Sequence, residues 1–118
     1  MAVAPVATAE GLPIPMAGLL KLDHATIERE VTEHRPGVYV LLSEHSRGGG
    51  LEYVGRADED MNERLKEWLN SFGWFFFAYA DSATDAFQKE CALYHHINPP
   101  ANAVHPVRPV GSSCPVSG

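Results

Sequence analysis

Apolar residues recur along the chain in two rhythms, one of helical period and one of short continuous runs. Leu22 and Ile27 flank Asp23 as a hydrophobic staple flanks an N-cap, which predicts a short helix starting at Asp23 and stopping near His34, before "RPG". Two runs rich in Val, Leu and Tyr follow, "GVYVLL" and "LEYVGR", separated by "SEHSRGGG", and read as an antiparallel hairpin with a glycine-rich loop. After the acidic cluster "ADED", suited to a helix N-terminus, Met61, Leu65, Trp68 and Phe72 return at helical spacing, so a second helix is expected to end around Ser71. "WFFFAYA" is a continuous aromatic run of strand length. Ser82 with Asp85 resembles a capping box, and Ala83, Ala86, Phe87, Tyr94 and Ile97 then line one face of a third helix. The order helix, strand, strand, helix, strand, helix predicts an α+β fold, a small three-stranded antiparallel sheet flanked by helices.

The chain has 118 residues, 45% of them hydrophobic, enough for one compact core. Residues 1–17 are Ala/Pro-rich and read as a flexible or loosely docked arm, 18–103 as the folded domain, and 104–118 as an irregular Pro/Gly/Ser-rich tail. The arm lacks the basic start and unbroken apolar run of a signal peptide, and no segment approaches membrane-spanning length. The net charge of -6 suits a soluble protein and offers no chain-wide attraction to polyanions, so any such binding requires a local basic site. Cys91 and Cys114 are the two cysteines, too few for a disulfide framework, and a reducing cytoplasm is expected.

Glu90 falls on the apolar face of the third helix, where a carboxylate costs several kcal/mol unless it is paired, hydrogen-bonded or metal-bound. Arg64 lies between Met61 and Leu65 on the apolar side of the second helix. The two charges could pair with each other, sit at the margins of their stripes, or flank a site. Tyr39 and Tyr53 stand on the hairpin strands, each two positions from a glycine, Gly37 or Gly55. Taken singly, each tyrosine fits an ordinary strand position. Cys91, His95, His105 and Cys114 could supply four ligands to a structural zinc ion, against the alternative of a buried thiol and scattered surface histidines.

Taken together, "GVY" at 37 to 39 and "YVG" at 53 to 55 resemble the paired signatures of the GIY-YIG nuclease family. Arg56 just after the second signature, Arg64 on the following helix, Ala86 and Glu90 in "AFQKE", and Pro99 and Asn102 in "NPPAN" extend the resemblance over roughly residues 36 to 103. The chain departs from the family in a longer stretch between Tyr53 and Arg64, and in Trp68 where many members carry His or Tyr. The resemblance implies an endonuclease that hydrolyses phosphodiester bonds in DNA or RNA. It gives Glu90 as ligand to a single Mg2+ or Mn2+, Arg64 and Arg56 as phosphate contacts, and Tyr39 or Tyr53 as the group deprotonating water. Gly37, Gly55 and Asn102 would be structural. A homodimer or a partner protein could supply specificity. Tyr39, Tyr53, Arg64 and Glu90 are then expected in one locally basic cleft, with both rings on one sheet face and the charges brought over it by the helices. The competing reading is a catalytically inactive module of the same fold that binds protein or nucleic acid.

Overall fold

A computed structural model describes residues 11–43 and 51–99. The strands are β1 (Leu20–Lys21), β2 (Gly37–Leu42), β3 (Leu51–Ala57) and β4 (Trp74–Tyr79), and the helices α1 (His24–Glu30), α2 (Met61–Lys66) and α3 (Ala83–Ile97). All strand pairs are antiparallel, in the order β1-β4-β2-β3. The sheet therefore has four strands rather than the expected three. The extra one is two residues long and is held by backbone pairing of Leu20 with Phe75 and Lys21 with Trp74, which no side-chain pattern announces. No helix among the described residues is long and apolar enough to cross a membrane.

Strand alternation divides the core. Tyr39, Leu41, Ala57, Phe75 and Phe77 face α1 and α2, joining Ile27, Val31, Met61 and Leu65. Val38, Val40, Leu42, Val54 and Phe76 face the other way, against Ala86 and Leu93 of α3. "WFFFAYA" is apolar on both faces because both are covered by helices. The stretch read as an arm is docked from Leu12: Leu12, Ile14, Met16 and Leu19 pack on the α3 side, and the Ala17 amide donates to the Phe77 carbonyl at 2.9 Å.

Each helix begins where its cap lies. The Asp23 carboxylate accepts from the Thr26 amide (2.7 Å), Asp60 from Glu63 (3.1 Å) and Ser82 from Asp85 (3.0 Å). α1 stops at Glu30, earlier than His34. α2 is also shorter than expected. Its regular part ends at Lys66, and tight turns, with bonds such as Trp68 amide to Leu65 carbonyl (3.0 Å), carry the chain to Asn70, whose φ of 70° ends the helical path. α2 is fixed against α1 by the Asn62 amide group donating to the Val31 carbonyl (2.8 Å) and by Lys66 pairing with Glu28.

Candidate functional site

The site lies at β3, the last strand of the sheet. Alternation sends Tyr53, Gly55 and Ala57 toward the α2 side and Val54 and Arg56 toward α3. Around that strand opens a cleft of about 580 Å³, lined by Tyr53, Arg56, Arg64 and Glu90. Arg64 arrives on α2 and Glu90 on α3, helices that pack on opposite faces of the sheet. The charges are thus not both brought over one face, as expected; they reach one cleft from the two sides of β3.

Both strand glycines answer to close packing. The Tyr39 ring lies across Gly55, where a Cβ would stand 2.6 Å from its Cζ. At Gly37 a Cβ would meet the Met61 methyl and, at 2.6 Å, the Ala78 carbonyl oxygen. Tyr39 is fully buried beneath the cleft instead of lining it. Its hydroxyl accepts a hydrogen bond from the Trp68 indole N–H at 2.8 Å. Burial pushes the Tyr39 phenol up to about 12, against the opposing influence of that bond and of the nearby Arg64. The half-buried Tyr53 phenol is also raised, first by burial and then by the Glu90 charge, while Arg64 pulls the other way.

Glu90 finds its partner in Arg56, not in Arg64. Arg56 Nη1 donates to Glu90 Oε1 at 2.8 Å, its Nε donates to Asp58 Oδ1 at 2.6 Å, and its guanidinium lies 5.3 Å from the centre of the Phe87 ring. Both partners of the inner pair are well sequestered, with 14% of the Arg56 and 9% of the Glu90 side chain exposed. Burial raises the Glu90 carboxyl to about 6, and Arg56 holds it from rising further. Arg64 instead donates to Glu67 at 2.9 Å in a more exposed pair.

The expectation of a locally basic cleft is overturned. Its lining includes Asp58, Glu59, Asp60, Glu63 and Glu67 besides Glu90, against the two arginines. The "ADED" cluster explains this: Asp60 caps α2 and binds His34 Nδ1 at 2.7 Å, while its neighbours face the opening. Asp58 had a weak signal, an opposite charge two residues after Arg56, just past the end of β3. Glu67 had another, standing three after Arg64 at the end of α2. Trp68, read only as a member of the apolar stripe and as a departure from the family, supplies the hydrogen bond to Tyr39 and packs at 4.7 Å from Tyr53, centroid to centroid.

Of the zinc candidates, Cys91 is buried on α3 and is not a free thiol, and His95 is exposed; His105 and Cys114, like Asn102, lie outside the described residues. No group of three or more His, Cys, Asp or Glu suited to a metal ion occurs among the described residues. Pro99 is buried beyond the end of α3. No protein-family model, curated protein or solved structure matches the chain.

Proposed function

We propose that the chain is a metal-dependent endonuclease acting on phosphodiester bonds of DNA or RNA with one divalent ion, Mg2+ or Mn2+, at Glu90. The observation that carries this reading is the meeting of Tyr53, Arg56, Arg64 and Glu90 around one cleft from three different elements. The acidic lining favours a cation, and because Arg56 occupies Oε1 of Glu90, the ion would be held through the other carboxylate oxygen. When bound, the ion supplies a Lewis acid to the phosphate and offsets the acidic lining.

The chain's own residues divide the remaining work. Arg64, anchored on one side by its hydrogen bond to Tyr39 and paired on the other with Glu67 in an exposed pair that costs little to break, can offer the donors of its fork that face the cleft to a phosphate. Arg56 is held by two carboxylates and positions Glu90 more than it binds substrate. Tyr53 lines the cleft and is the better placed of the two tyrosines to take a proton from water, whereas Tyr39 is sealed under Gly55 and Trp68. The phenolate required of Tyr53 is opposed by burial and by the Glu90 charge; Arg64 favours it, and a cation at Glu90 would offset that carboxylate.

The test is cleavage of single-stranded, nicked, branched and duplex substrates with Mg2+ or Mn2+. Metal-dependent cleavage that falls on the order of 100-fold in both Glu90→Gln and Arg64→Ala is expected. Full activity in Glu90→Gln would overturn the role of that residue. A second reading has its own support: both arginines are paired and carboxylates dominate the cleft, which favours a non-catalytic module binding a basic protein segment. Absence of cleavage on every substrate with either metal decides for it.

A further inference from the structure

We infer that the substrate of this cleft presents unpaired bases beside the scissile phosphate, and that Tyr53, Trp68 and Phe72 form the ledge on which those bases stack. The inference rests on the nuclease reading and names the substrate class of the same site. Three aromatic side chains, from β3 and from the turns after α2, make one continuous cluster. Their ring centroids lie 4.7 Å (Tyr53 to Trp68), 5.8 Å (Trp68 to Phe72) and 6.2 Å (Tyr53 to Phe72) apart. All three are partly exposed, and Tyr53 belongs to both the cluster and the cleft, so the ledge runs on from the place proposed for the phosphate.

Two physical arguments commit the ledge to a base. The first is rigidity: the indole N–H of Trp68 is engaged by the Tyr39 hydroxyl and the ring rests on the core of the α2 side, so the part of it that remains exposed is fixed, apolar and without a hydrogen-bond donor to offer. Bases stack on such faces whatever their sequence, at about 1–3 kcal/mol each. The second is charge. Duplex recognition draws on many phosphate contacts, and a cleft with two paired arginines among six carboxylates offers few. Affinity for a strand must then come largely from its bases, which a duplex keeps inside its stack.

The experiment uses the full chain carrying Trp74→Phe, so that Trp68 is the remaining tryptophan. Tryptophan fluorescence is followed with Mg2+ present as a short oligothymidylate, an abasic strand of the same length, or a blunt duplex is added. Quenching by oligothymidylate is expected, with affinity for the abasic strand and the duplex weaker by about 5- to 100-fold. Phe72→Ala should weaken oligothymidylate binding alone, and Phe72→Tyr should restore it. Equal affinity for the abasic strand overturns the inference, and this comparison needs no variant at Phe72. Quenching by a basic peptide in place of the oligonucleotide also overturns it. Base-dependent binding without cleavage sinks the nuclease reading and leaves the ledge standing; cleavage indifferent to bases does the reverse.

Discussion

The ring of Tyr39 occupies the space that any side chain at Gly55 would need, since a Cβ there would stand 2.6 Å from both its Cζ and its hydroxyl oxygen. The two residues are also direct partners in the β2–β3 register. Gly55→Ala must therefore push the ring out of place or part the strands, at about 1–3 kcal/mol. The hydrogen bond from Trp68 should go with it. Urea denaturation gives the loss of stability, and a shifted tryptophan emission in the folded variant reports the displaced ring. An unchanged melting temperature and spectrum would contradict this packing.

Trp68→Phe keeps an aromatic ring against Tyr53 but removes the indole N–H that donates to the Tyr39 hydroxyl, leaving Arg64 as its remaining hydrogen-bond partner. One of the two hydrogen bonds of the buried hydroxyl is then lost, and the variant should lose about 0.5–1.5 kcal/mol in denaturant titration. Loss of a few tenths at most would mean that the bond contributes nothing net.

The Glu90 carboxyl, at about 6 in the fold against an ordinary 4.5, binds its proton more tightly folded than unfolded. Below about 4.5 the group is neutral in both states and its contribution vanishes; as pH rises through the window to about 6 the buried charge costs stability, reaching about 2 kcal/mol. Comparison of wild type and Glu90→Gln across that window should show the extra decline only in wild type. If Glu90 holds a divalent ion, Mg2+ raises the melting temperature of wild type and leaves that of the variant unmoved. Equal shifts in both would place the ion elsewhere.

Arg56→Met removes the guanidinium that shares burial with Glu90. The stranded carboxylate should cost about 3 kcal/mol or more near neutral pH. Most of that cost should disappear at about pH 5, where Glu90 takes up a proton. A deficit independent of pH would assign the damage to lost packing on Phe87 instead.

The order of the helices and of the longer strands was legible because local signals coincide with it. Asp23 and Ser82 cap the helices they precede, and the hairpin runs pair as their composition suggests. β1 was not legible, for its bonds are made by backbone groups that every residue carries. The inward place of Glu90 could be read from helical period, since Phe87 and Cys91 beside it are buried. Its partner could not: Arg56 and Arg64 both reach the cleft, and only the faces on which α2 and α3 pack decide between them. The same holds for the charge of the opening. Four residues that suit a helix start also fill a cleft when that start faces β3, and no local pattern specifies this.

The pairing of Leu20 and Lys21 with β4 has a bearing on where the folding unit begins. Without the stretch from Leu12 to Lys21, β4 would present an open row of amides and carbonyls. The apolar surface beneath Leu12, Ile14, Met16 and Leu19 would meet water on the same flank. A chain shortened to start at α1 would keep every residue of the cleft and yet expose an adhesive sheet edge. Self-association through β4, at the opposite border from the cleft, is the failure such a shortened chain invites.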